Sequence, residues 1–125
     1  MQNRFSSSHV ETWPSRGEVV AALRSAAERL RERHPEITRI GYFGSLDDGS
    51  RYGFGSDADV VIVVAESARP FAERGRAYDL GAMPVPVDLF VYTEKELEQF
   101  LGREDQFGRG LQNTVWLEPV QRMPA

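Results

Sequence analysis

No cysteine occurs among the 125 residues. That removes disulfides, thiolate metal sites and a thiol nucleophile together. Lysine is almost absent: Lys95 is the only one, so arginine supplies nearly all of the 15 basic residues, which face 19 acidic ones for a net charge of −4. Gripping a nucleic-acid backbone needs a concentrated basic face, so nucleic acid is not the expected partner. Histidine is limited to His9 and His34. A His-based triad therefore has little support, and His34, placed before Pro35, reads as a helix-end residue. No long hydrophobic run exists. The longest, Val60 to Ala65, is far short of the roughly 20 residues that span a bilayer. The first nine residues are polar and hold no apolar signal core. These absences lead to the expectation of a cytoplasmic protein with no membrane role.

What is present is an ordinary globular mixture, 41% hydrophobic and 27% charged, which argues against disorder. The length suits one domain. We read residues 1–13 as a flexible arm and residues 14–125 as that domain. Ser15-Arg16-Gly17-Glu18 fits a capping box. Val19, Val20, Leu23, Ala27 and Leu30 follow it at helical spacing, opposite a solvated face carrying Arg24, Glu28, Arg31 and Glu32. Ile37 to Phe43 reads as a strand, with Ile40 and Tyr42 on one face. The stretch from Gly44 to Ser56 is rich in glycine and reads as loop. Val60 to Val64, a β-branched run, suits a strand buried on both faces. Ala68 to Leu80 reads as a helix stopped by Gly81. Pro86 to Tyr92 reads as a third strand, and Thr93 to Glu96 as the capping box of another helix. Phe107 and Leu111 predict one more short helix, and Val115 to Leu117 an edge strand. Trp13 and Trp116 read as packing anchors. The order predicts a small α/β (α+β) domain: a mixed sheet with helices packed on it.

Three aspartates stand where the core strands begin: Asp57, Asp59 and Asp88. Asp57 and Asp59 are two apart, so on a strand they share a face. Asp88 holds a similar place on another strand. Side by side, these strands would gather three carboxylates, a costly arrangement because like charges oppose each other's ionisation. Hard divalent cations such as magnesium take oxygen ligands and relieve that cost. Gly44-Ser45 ends the strand upstream, where a glycine allows close approach and a hydroxyl can hold phosphate oxygens. Three carboxylates and a triphosphate face two metals in reasonable charge balance, and two such ions can activate an attacking oxygen and stabilise a leaving one. Each feature alone has a bland reading as a turn or a strand start. Their combination, in this order, raises the estimate.

Gly44-Ser45, eleven residues, Asp57-Ala58-Asp59 before an apolar strand, and Asp88 within Pro84 to Thr93 together resemble the signature of the DNA polymerase beta-like nucleotidyltransferase superfamily. The likeness is greatest to its small stand-alone members, the minimal nucleotidyltransferases (MNT). It runs from about Ile37 to Phe100 and more loosely to Leu117. The resemblance implies the superfamily's fold and the transfer of a nucleoside monophosphate, often AMP from ATP, to a hydroxyl with magnesium. It implies that Asp57 and Asp59 bind two metal ions. It implies that Asp88 binds the catalytic one and helps deprotonate the acceptor. Gly44, Ser45, Ser56 and Arg51 would hold the triphosphate. Small members often pair with a helical HEPN-type toxin, so the resemblance also implies an antitoxin role, in which the partner receives AMP.

The sequence departs from the pattern in one place. Many relatives carry an arginine three residues after the serine, where this chain has Asp48 within Leu46-Asp47-Asp48-Gly49, and Arg51 is the nearby substitute. These extra acids motivate a competing expectation, a non-catalytic binding module that keeps the fold. Transfer to a small molecule such as an aminoglycoside ranks lower. A homo-oligomer through an exposed sheet edge stays open.

Overall fold

The capping box at Ser15 opens the first helix, α1 (Arg16–Arg33). Glu18 N–H donates to Ser15 Oγ at 3.1 Å, and Ser15 N–H donates back to Glu18 Oε1 at 3.0 Å. Val19, Val20, Leu23, Ala26, Ala27 and Leu30 are buried along one stripe. The opposite face is more exposed, but Arg31 reaches across to donate to the Leu117 carbonyl, tying the C-terminal segment to the helix, and Arg29 donates to the Leu80 carbonyl. The computed structural model describes residues 12–47 and 49–119. The expected arm, residues 1–13, lies outside them except for its end, where Trp13 is partly buried and its ring sits 5.2 Å from that of Phe54.

After α1 come β1 (Ile37–Phe43), β2 (Ala58–Val64), α2 (Phe71–Arg74), β3 (Val87–Thr93), α3 (Glu94–Leu101), α4 (Gln106–Gln112) and β4 (Val115–Trp116). The strands form one mixed sheet in the order β3-β2-β1-β4. β1 runs antiparallel to both β2 and β4, and β2 runs parallel to β3. β2 is one of the two interior strands, and Val60 to Val64 are all 0–1% exposed, as an uninterrupted β-branched run requires. Ile40, Tyr42, Val60, Ile62 and Val64 face α1. Phe43, Val61, Val63 and Tyr92 face the other way, toward Leu97 of α3 and Leu111 of α4. The sheet is thus a middle layer between one long helix and two short ones.

One expected element is corrected. The helix read over Ala68 to Leu80 is a single turn, α2, followed by a 3₁₀ turn at Gly75–Ala77. Pro70 bars Arg69 from helical geometry and sets the start. The residues beyond are then drawn to separate anchors. Arg74 is buried and donates to the Arg69 carbonyl, the Val91 carbonyl and Glu96. Tyr78 is extended, packs edge-on to His34 and donates to Glu36 at 2.8 Å. No single helix axis serves both anchors. By contrast, the box at Thr93 opens α3 as expected, with Glu96 as its acidic partner.

Candidate active site

The interior of β2 is wholly apolar, so its polar side chains fall at its N-terminal end, where Asp59 is the second residue of the strand. The parallel pairing places Asp59 opposite Asp88 on β3, and the antiparallel pairing places it opposite Phe43, the last residue of β1. Strand alternation sends Asp59 and Asp88 to the face that carries Val61, Val63, Phe90 and Tyr92, the face covered by α3 and α4. Asp57 and Asp88 are exposed and Asp59 is partly buried. Burial pushes the Asp59 carboxyl above the usual range, and the charges of Asp88 and then Asp57 push it further. Among the described residues, no hydrogen-bond donor or cation is paired with any of the three. Sequence reasoning expected three carboxylates at one sheet edge; the strand register sets Asp59 beside Asp88, while Asp57 stands one residue before β2.

The Gly-Ser turn completes the arrangement. Phe43 is extended, and Gly44 then turns the chain at φ 71 into a 3₁₀ turn over Gly44–Leu46. That φ lies in the left-handed region, where a side chain is strained. A Cβ at Gly44 would also overlap Asp59 Oδ2. The turn and the carboxylate are therefore in near contact, and only glycine permits it. Ser45 is half-buried, and its hydroxyl has no hydrogen-bond partner among the described residues. Gly44→Ala is expected to lose metal-triphosphate binding altogether and to cost about 1–3 kcal/mol of stability from the φ alone. Titration calorimetry and urea denaturation check the two effects separately.

The other two sequence candidates take supporting positions. Arg51 donates to the Gly44 carbonyl at 3.0 Å and to Asp47 Oδ2 at 3.1 Å. It braces the turn and offsets Asp47, whose side chain is only 12% exposed. Ser56 Oγ accepts from Gly53 N–H at 3.0 Å, closing the turn that leads into Asp57. Both brace the loop through contacts within it. Asp48 lies outside the described residues.

Sequence reasoning missed Arg16. From the first turn of α1 it donates to the Leu46 carbonyl and the Asp47 carbonyl, each at 2.8 Å, and reaches the Tyr42 hydroxyl at 3.4 Å. It thereby fixes the far end of the Gly-Ser turn. Nothing in the local sequence signals this, because its partners lie 26 to 31 residues away.

The aspartates offer only oxygen donors, which suits a hard cation such as magnesium. Among the described residues, no three acidic or histidine side chains are already gathered into a metal centre. The set is open, and exposed Asp57 and Asp88 retain freedom to close on an ion. The donor chemistry and the mutual repulsion at Asp59 fit such a group.

A hollow of about 400 Å³ adjoins Gly44, bounded by Phe43, Arg51, Gln106, Phe107 and Gly110. A larger one, about 540 Å³, lies at the opposite end of the sheet among His34, Glu36, Arg69, Arg74 and Tyr78. Polar groups there satisfy one another: Tyr78 donates to Glu36, His34 lies 3.5 Å from Glu36, and Arg74 pairs with Glu96. Size alone favours the second hollow. The unpartnered carboxylates favour the first, because unsatisfied charge is what a ligand would neutralise.

Comparison with known proteins shows the family and the fold. Residues 23–121 match a family model described as "Nucleotidyltransferase domain". Among solved structures, the chain resembles a Sulfolobus solfataricus protein provisionally named a nucleotidyltransferase, with a TM-score of 0.62 and 17% identity over 89% of this chain and 90% of that one. At that identity the likeness concerns the fold. No curated protein matches the chain. No helix among the described residues is long and apolar enough to cross a membrane.

Proposed function

The chain belongs to the nucleotidyltransferase domain family, and from that premise we propose that it transfers AMP from ATP to a hydroxyl on a partner protein. The observation that carries this reading is the pairing of Asp59 with Asp88 beside Gly44, three groups brought together from three strands' ends. The proposed cofactor is magnesium, two ions held by Asp57, Asp59 and Asp88. When bound, it would neutralise the triphosphate and the carboxylates and polarise the reacting oxygens.

The residues of the chain divide the work. The Gly-Ser turn, held by Arg16 and Arg51, receives the β- and γ-phosphates, with the Ser45 hydroxyl as a donor. Asp57 and Asp59 orient the α-phosphate end. Asp88, on the outer strand β3, meets the acceptor and takes its proton. The acceptor oxygen bonds to the α-phosphorus, the bond to the bridging oxygen of the β-phosphate breaks, and pyrophosphate leaves. Positioning and charge stabilisation supply most of the rate in such transfers.

The resemblance of the motifs to the minimal nucleotidyltransferases supports a helical HEPN-type protein as the proposed acceptor, neutralised by the transfer. The contact-only alternative rested on the acids after Ser45. Asp47 gives it little support, since its carboxylate turns into the loop to pair with Arg51. The test is incubation with α-labelled ATP, magnesium and a co-expressed HEPN-type partner. Label on the partner, lost in Asp57→Asn, is the expected result. Toxin neutralisation that persists in Asp57→Asn without label would replace this reading with the contact-only module.

A further inference from the structure

β3 is an outer strand, paired on one side only, with β2. In that pairing Ala58 N–H donates to the Pro86 carbonyl. Residues 86, 88, 90 and 92 therefore turn their backbone groups to β2, and residues 87, 89, 91 and 93 turn theirs outward. Three contacts close the later part of this edge. Arg74 donates to the Val91 carbonyl, and Glu96 accepts from Thr93 N–H. The Phe71 ring, from α2, stacks on Tyr92 at 5.2 Å. The earlier part is left open. The outward N–H and C=O of Val87 and of Leu89 have no partner among the described residues. An open edge is a pairing template that natural sheets blunt. Here the blunting stops short of the stretch centred on Asp88, which is itself exposed.

An extended chain is what satisfies four such groups. Run antiparallel to β3, it exchanges two backbone hydrogen bonds with Val87 and two with Leu89. Its residue opposite Asp88 then takes a non-hydrogen-bonded position, where facing side chains come closest. That side chain shares the face of Asp88, with Cβ atoms about 4.5–5.5 Å apart. A serine, threonine or tyrosine hydroxyl there stands beside the carboxylate proposed to take its proton. Phe90, next on that face, is partly exposed and offers a ring to an apolar side chain two residues before the hydroxyl. A second copy of this chain fits less well. Two β3 edges paired antiparallel about this stretch would set Asp88 against Asp88, and like charges directly opposite are destabilising.

We propose that the edge of β3 from Val87 to Leu89 is a docking strand for an extended segment of the partner protein, which presents its acceptor hydroxyl opposite Asp88. The proposal rests on the transfer reading above and goes beyond it by giving the conformation in which the acceptor is received, a strand added to the sheet.

Amide hydrogen exchange, resolved by residue, is followed on the protein alone and with the co-expressed partner. The N–H groups of Val87 and Leu89 should exchange freely in the protein alone and slow about tenfold or more in the complex. Val87→Pro and Leu89→Pro each remove one outward donor, at edge positions where proline is tolerated. In each variant, label transfer to the partner should fall about tenfold or more, with magnesium–ATP affinity within about twofold of the wild type by titration calorimetry. Retained ATP binding also shows that the variant is folded. If the partner is labelled while Val87 and Leu89 stay unprotected, or if both proline variants label it as the wild type does, the acceptor reaches Asp88 by another route. The docking strand is then wrong and the transfer reading stands. Protection that appears in the protein alone as its concentration rises would assign the edge to a second copy instead. If the wild type labels no partner, the transfer reading fails and the docking strand fails with it.

Discussion

Asp59→Asn is expected to abolish magnesium-dependent transfer, by about a thousandfold or more, and at the same time to raise the melting temperature of the metal-free protein. The two effects have one cause. Asp59 is partly buried, has no donor or cation among the described residues, and faces Asp88 and Asp57. Its ionised form is disfavoured in the fold, so its pKa is raised by burial first and by the two neighbouring charges next. A raised carboxylate pKa makes the folded state bind protons more readily than the unfolded one. The resulting cost to stability is present above the folded pKa and is relieved as pH falls through it. Asparagine keeps the shape and removes the charge. A gain on the order of 1 kcal/mol would appear as about 4 °C in a chain of this size. The melting difference between variant and wild type should shrink as pH falls through the raised folded pKa of Asp59, where the wild-type carboxyl takes up its proton. Magnesium should stabilise the wild type and leave the variant unchanged. Loss of activity with a lower melting temperature at neutral pH would mean that Asp59 has a structural partner, and the site would have to be redrawn.

This combination was legible in the sequence because strand physics is local. Strand alternation puts Asp59 on one face of β2, although Asp57 falls one residue before the strand, and the β-branched run after them suits a strand buried on both faces. Gly44-Ser45 at a strand end was readable on the same grounds. The register that sets Asp59 against both Asp88 and Phe43 was not readable, because it depends on how three strands slide past one another. Arg16 was hidden for a related reason. It looks like any arginine in a first helical turn until the chain returns 30 residues later to place the Leu46 carbonyl beside it. The crossover from β2 to β3 failed as a helix for a different reason. Phe71, Gly75 and Tyr78 keep a helical spacing, but Pro70 and the burial of Arg74 outweigh it. Periodicity describes what a segment could do alone, and tertiary anchors decide whether it does.

Arg74→Ala is expected to produce the largest loss of stability, about 2–4 kcal/mol at neutral pH in urea denaturation. The Arg74 side chain is 8% exposed and meets Glu96 through two contacts, Nη1 to Oε1 at 2.5 Å and Nη2 to Oε2 at 3.1 Å. It also satisfies the Val91 carbonyl on the outer strand β3 and the Arg69 carbonyl in the crossover. Glu96 meanwhile accepts from Thr93 N–H in the capping box of α3. One guanidinium thus joins the crossover, the strand that carries Asp88 and the helix that covers the face holding Asp59 and Asp88. Removing it takes the cation from Glu96 and a donor from two carbonyls at once. The Glu96 pKa is lowered, mainly by the hydrogen bond from Arg74. The stability from that pair is therefore present above the unfolded carboxylate pKa and is lost as pH falls through the folded one. The penalty of Arg74→Ala should accordingly shrink in acid, in the range where Glu96 protonates. Arg74→Met with Glu96→Gln should recover part of the loss, because packing is kept and no lone charge remains. A penalty that is constant with pH, or unrelieved in the double variant, would assign the role of Arg74 to its two carbonyl contacts and leave Glu96 to the capping box.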